Sequence, residues 1–153
     1  MSWVQTSLIG SVGLLLSLSA CADPCSDPDE KAILEQAAAE PGAIRTESGL
    51  IFLLTKPGPG PRPAADNRVQ VHYEGRFPDG RVFDSSYKRG HPSSFGLQDV
   101  IPGWREGLQL LEGGSKAKLT IPAHLAYGLA GKSPDIPPCA TLIFDVELLG
   151  IYD

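Results

Sequence analysis

In "RVQVHYEGRF", residues 68–77, Val69, Val71, Tyr73 and Phe77 share one side of a two-residue period, while Arg68, Gln70, His72, Glu74 and Arg76 share the other. A helix would scatter these positions around its circumference. Successive side chains of a strand point to opposite faces, so the segment reads as a half-buried strand whose apolar face needs a cover. "KAKLTI" repeats the pattern, with Ala117, Leu119 and Ile121 inward and Lys116, Lys118 and Thr120 outward. "TLIFDVELL" does so again through Leu142, Phe144, Val146 and Leu148. The apolar run "LIFLLT" at 50–55 predicts the first strand, and "PGPGPRP" at 57–63 a stiff connector whose prolines donate no ladder hydrogen bonds. Inside this region the one strong helical period is "PGWREGLQLL", with Trp104, Leu108 and Leu111 on a common face. These elements predict an α+β domain, an antiparallel sheet with a single short helix packed on its concave face.

The chain of 153 residues is 42% hydrophobic and 20% charged, which suits one soluble domain plus an appendage. Its net charge is −5 and its Lys and Arg are scattered singly, so no basic stripe is offered to nucleic acid. The first twenty residues contain no charged side chain and are apolar from about Leu8 to Leu18. That stretch is shorter than the roughly 20 residues a membrane-spanning helix needs, and it suits the apolar region of a secretory signal. It ends in Leu18-Ser19-Ala20-Cys21, which resembles the lipobox of bacterial lipoproteins. The resemblance implies a signal over 1–20, an acylated Cys21 and a lipid-anchored domain on the periplasmic side of a cell envelope. Ala22, in place of Asp, points by the same analogy to an outer membrane. Because no Lys or Arg precedes Leu8, an ordinary signal or a different start Met is the alternative reading.

Beyond the polar tether "CADPCSD", "DPDEKAILEQAAAEPG" reads as a leader helix. Asp27 is its N-cap, Pro28 its first residue, Glu30 the return arm of a capping box and Pro41-Gly42 its stop. Ile33 with Ala37, and Leu34 with Ala38, form only a thin apolar stripe, so the helix either docks on the domain or frays. The expected division is therefore a signal at 1–20, a tether and leader helix at 21–45, and a folded domain from Thr46 to Asp153. Beyond Cys21 the chain holds Cys25 and Cys139, which either pair in an oxidising compartment or stay as two free thiols. His72, His91 and His124 are widely separated, and neither a short His pair nor a CxxC occurs, so neither a metal site nor redox activity is expected.

Four runs in order, "VHYEGRFPDGRVFDSS", "VIPGWREGL", "AYG" and "IPPCATLIFDVELL", together resemble the FKBP-type peptidyl-prolyl cis–trans isomerases, from about residue 46 to the C-terminus. The resemblance implies a twisted antiparallel half-barrel wrapped around one short α-helix. It makes Trp104 the floor of an apolar pocket for a proline ring, with Tyr73, Phe83, Val100, Ile101 and Phe144 as walls. Asp84 and Tyr127 become polar groups at the rim, and Ile136 overhangs the mouth. It also implies that the backbone N–H of Ile101 and the hydroxyl of Tyr127 bond substrate carbonyls. Ser93 stands about where small cytosolic members carry a pocket-wall aromatic. The shorter loop around it is similar to the macrophage-infectivity-potentiator-like bacterial branch. Lys132 replaces a common His, and Asp135 a usual aliphatic residue, which makes the mouth more polar.

The implied activity is rotation about X–Pro bonds in exported proteins, with no cofactor and no metal. Proline-containing segments of unfolded or folding proteins are the expected partners, and a monomer the expected state. A non-catalytic chaperone module that merely holds such segments is the alternative.

Overall fold

The computed structural model describes residues 23–153. The expected signal and the expected acylation at Cys21 lie outside the described residues. Asp27, in extended conformation, caps α1 (Pro28–Ala38) by accepting the Glu30 N–H at 2.7 Å. The other half of the expected capping box is missing, because the Asp27 N–H donates to Cys25 O and the Glu30 side chain is committed elsewhere.

Seven strands follow among the described residues: β1 (Ile44–Arg45), β2 (Ile51–Lys56), β3 (Arg68–Arg76), β4 (Val82–Ser85), β5 (Ser93–Gly96), β6 (Lys116–Ile121) and β7 (Leu142–Tyr152). The predicted first strand is thus the second. β1 pairs with it, and the sheet begins at Ile44, two residues ahead of the expected boundary at Thr46. A one-turn helix α2 (Ser86–Arg89) and a 3-10 turn at Ala123–Leu125 accompany the predicted α3 (Pro102–Leu110). The sheet is antiparallel throughout, in the order β1-β2-β6-β7-β3-β4. β3 is paired along one edge with β7 and along the other with β5 through Val71 and with β4 from Glu74.

The inward residues of β3, β6 and β7 are buried as their alternation predicts, and they meet Trp104, Leu108 and Leu111 in one core. α3 lies so close to β6 that a Cβ on Gly103 would stand 2.5 Å from the Ile121 side chain. The helix carries glycine there because the sheet leaves no room for anything larger. The opposite face of the sheet is covered by α1, whose Ile33 and Ala37 sit over Lys118, Thr120 and Ile143. Thr120 does point outward, yet it is buried, since the leader helix docks on that face. Glu40 receives Lys118 Nζ on both carboxylate oxygens, and Arg45 pairs with Glu35 at 2.8 Å. A disulfide joins Cys25 to Cys139, which resolves the question left open by the sequence and fastens the leader to the domain.

Candidate active site

One face of the sheet and the start of α3 enclose a cavity of about 590 Å³. Trp104, 4% exposed, forms its floor. Its indole meets Tyr73, Phe95 and Phe144 edge to face at ring separations of 5.0, 5.5 and 5.1 Å. Phe83 stands edge-on to Phe144 at 5.5 Å. Such edge-to-face contacts set the positive edge of one ring against the negative face of the next, fixing ring orientation as well as burying area. The indole N–H is buried without a partner among the described residues.

Each wall comes from a different element. β3 supplies Tyr73, β4 supplies Phe83 and Asp84, the entry to α3 supplies Val100 and Ile101, and β7 supplies Phe144. Tyr127 and Ile136 come from the connection between β6 and β7. All nine pocket residues expected from the sequence therefore line one cavity. Tyr73 is held where β3 changes partners: its N–H donates to Ser86 Oγ at 2.8 Å, and the same hydroxyl donates back to Tyr73 O at 3.2 Å. A serine side chain thus stands in for the strand that is missing between β5 and β4.

Gly75 was not anticipated. It is the next inward position after Tyr73 and lies opposite both Asp84 and Phe144. A Cβ there would come within 2.6 Å of Phe83 and of Phe144, so only glycine lets those two rings meet. The signal was present in the sequence as a glycine on the apolar side of an alternating strand.

Ser93 does not line the cavity. Its hydroxyl accepts from Arg89 at 3.0 Å, and the wall aromatic at this place is Phe95, two residues on and therefore on the same face of β5. Ser93 stands where the resemblance puts an aromatic, and after the short loop the strand delivers its ring at Phe95 instead. Arg89 was also missed. It ion-pairs with Asp84, donates to the Tyr73 hydroxyl at 2.9 Å, and lies 5.5 Å over the Tyr73 ring.

The rim carries a fixed pattern of charge. Burial pushes the Asp84 carboxyl up. Hydrogen bonds from Tyr73 and Arg89, the guanidinium charge and the Ser85 N–H outweigh it, and the group is held below the ordinary carboxylate range. Burial raises the Tyr73 phenol, and its hydrogen bond to Asp84 adds to the rise. At neutral pH the pair is therefore phenol donor and carboxylate acceptor.

Two donors at the mouth have no acceptor among the described residues, the backbone N–H of Ile101 and the hydroxyl of Tyr127. Lys132 stands with its ammonium 5.4 Å over the Tyr127 ring, and Asp135 and Asp99 complete a polar edge. Lys132 and Ile136 exchange two backbone hydrogen bonds, each 2.8 Å, which fold the overhanging loop back on itself. None of the three histidines lines the cavity, and among the described residues no cluster of three metal-ligating side chains occurs. The arrangement can receive a small aliphatic ring on aromatic faces and bond the carbonyls beside it.

Comparison with known proteins bears on the same stretch. A family model described as FKBP-type peptidyl-prolyl cis–trans isomerase matches residues 60–149. The chain is 52% identical over 118 residues to the FKBP-type 22 kDa peptidyl-prolyl cis–trans isomerase of Escherichia coli K12, covering 77% of this chain and 57% of that protein. It is 50% identical over 121 residues to the macrophage infectivity potentiator of Trypanosoma cruzi, covering 78% and 62%. The crystal structure of FkpA from Escherichia coli superimposes with a TM-score of 0.79 at 47% identity, over 81% of this chain and 58% of that one. A peptidyl-prolyl cis–trans isomerase structure from Pseudomonas syringae pv. tomato gives 0.77 at 38% identity, over 82% and 92%. The chain spans about half the length of the curated relatives it matches. Every cavity-lining residue, from Tyr73 to Phe144, falls inside the matched stretch.

Proposed function

The chain belongs to the FKBP-type peptidyl-prolyl cis–trans isomerase family, and from that premise we propose that it accelerates rotation about X–Pro bonds in exported polypeptides. An X–Pro bond is held planar by amide resonance against a barrier of about 18–20 kcal/mol and turns over unaided in tens to hundreds of seconds. The twisted imide has lost that resonance and is less dipolar than either planar form. An apolar cup that excludes water therefore favours the twisted state over the planar ground state. A ten-thousandfold acceleration asks for only about 5.5 kcal/mol. The aromatic floor and walls receive the prolyl ring, while the Ile101 N–H and the Tyr127 hydroxyl hold flanking carbonyls so that rotation happens about the one free bond.

The observation that carries this reading is the coincidence of an aromatic cup with two unpaired donors at its mouth. Neither a nucleophile nor a general base is required, since no bond is made or broken. The test is a protease-free isomerisation assay on an X–Pro tetrapeptide, in which purified protein accelerates the cis-to-trans phase catalytically. A protein that binds the peptide without accelerating that phase is a holding module instead.

We propose further that the domain works on the periplasmic side of a cell envelope, anchored at an outer membrane through an acylated Cys21. The uncharged apolar segment ending in Leu18-Ser19-Ala20-Cys21 supports this, as does a disulfide of the kind that persists in oxidising compartments. Intact mass of the mature protein tests it, with acyl chains on an N-terminal Cys21 as the expected result. A monomer suffices for the activity, because a single chain supplies the complete pocket.

A further inference from the structure

The loop that roofs the pocket has no strand to hold it. Between the end of β6 at Ile121 and the start of β7 at Leu142, its regular structure is one 3-10 turn and the Lys132–Ile136 bridge. This segment carries Tyr127, Lys132, Asp135 and Ile136, the whole overhanging side of the mouth. Its roots are gripped by the leader. Glu30, only 6% exposed, accepts the Ala123 N–H at 2.9 Å on Oε1, and the same oxygen accepts the Thr141 hydroxyl at 3.3 Å. One side chain therefore ties the entry of the loop to its exit. Next to the exit, Cys139 is bonded to Cys25, and its N–H donates to Gly128 O at 2.8 Å, one residue beyond Tyr127. Beside the entry, His124 faces Asp23 at 3.2 Å. The deepest leader contacts thus converge on the mouth loop.

We infer that the leader is a positioning element of the active site, in which Cys25 and Glu30 hold the mouth loop in its substrate-binding geometry and so set affinity for the residues flanking the proline. The inference rests on the isomerase reading. On that reading the loop holds the residues beside the rotating bond through Tyr127 and Ile136, and with its own sequence unchanged it makes the same contacts once substrate has ordered it. Loosening it adds an ordering cost to binding while leaving the rotation step in the aromatic cup untouched. Cys25 and Glu30 touch no substrate and act through Cys139, Ala123 and Thr141.

The experiment uses the full chain as wild type, Cys25→Ser, Glu30→Ala and Glu30→Gln. Each is measured for steady-state isomerisation of an X–Pro tetrapeptide and for amide exchange in peptides covering 126–138 and 68–76. Cys25→Ser and Glu30→Ala are expected to raise KM about fivefold, with kcat unchanged within about twofold. Exchange should quicken at least about tenfold at 126–138 and stay unchanged at 68–76. Glu30→Gln keeps an acceptor oxygen for Ala123 and Thr141 and should restore both values. KM and loop exchange that both stay at wild-type values overturn the inference. A fall in kcat at constant KM, with faster exchange in both peptides, also overturns it, because that is loss of folded enzyme. Should the wild type fail to accelerate isomerisation, the isomerase reading falls. The positioning claim is then decided by exchange at 126–138 together with the affinity of the same tetrapeptide.

Discussion

Tyr73 donates its hydroxyl proton to Asp84 at 2.5 Å, and Arg89 bonds both partners, so three side chains from β3, β4 and α2 form one locked unit at the pocket wall. Asp84 is thereby held as a carboxylate below its ordinary range. A carboxyl lowered in the folded state stabilises the fold above its unfolded value and loses that contribution as pH falls through the folded one. The loss is thus expected below about pH 4. Arg89→Gln should move the Asp84 titration upward, read by carboxyl-carbon NMR, and Asp84→Val should lower kcat/KM by about tenfold. An Asp84 titration unmoved by Arg89→Gln would contradict the pairing.

Removing the Tyr127 hydroxyl keeps the ring and its contact with Lys132. Tyr127→Phe should lower kcat/KM about tenfold or more, equivalent to at least about 1.4 kcal/mol of transition-state stabilisation. The melting temperature should not change, as that hydroxyl bonds nothing among the described residues. Paired kinetics and thermal denaturation check both halves.

The rate should be nearly flat between about pH 6 and 8, where an unperturbed histidine titrates. His72 bonds Ser86 and stacks on Tyr87, His124 donates to Ser48 O, and His91 lies on the surface, so none reaches the cavity. Asp84 is held low and Tyr73 high, and each keeps one protonation state across that window. A steep profile abolished by His→Gln changes would replace the mechanism with acid–base chemistry.

Trp104→Ala opens the floor and should cost about 3–5 kcal/mol of stability, as large-to-small core changes do. Trp104→Phe should cost clearly less, because it keeps an aromatic floor and removes an indole N–H that is buried without a partner among the described residues. Chemical denaturation of the two variants separates these outcomes.

The alternation in β3, β6 and β7 made the sheet legible, because each strand buries one face against α3 and that periodicity is written in single residues. The pocket was legible through the runs around Tyr73, Trp104, Tyr127 and Phe144. What escaped is governed by tertiary distance. β5 is four residues long with one aromatic, and α2 is a single turn, so neither repeats a pattern often enough to be read. Glu30 at the third helical position matched a local capping signal, but its side chain reaches residues 93 and 111 positions away. Thr120 looked solvent-facing because nothing in the strand itself reveals that α1 covers that side. The Cys25–Cys139 pairing depended on where a leader lands, which spacing alone leaves open.

The disulfide bridges a sequence separation of 114, and this changes how the molecule carries load. A pull applied ahead of Cys25 passes through the two sulfurs into Cys139 and then along β7. The chain between the two cysteines, which includes the pocket floor and every strand but β7, is bypassed by the force. Tension on the N-terminal side therefore cannot peel the leader or unthread the sheet from its first strand; it can act only by dragging β7 out of the middle of its ladder.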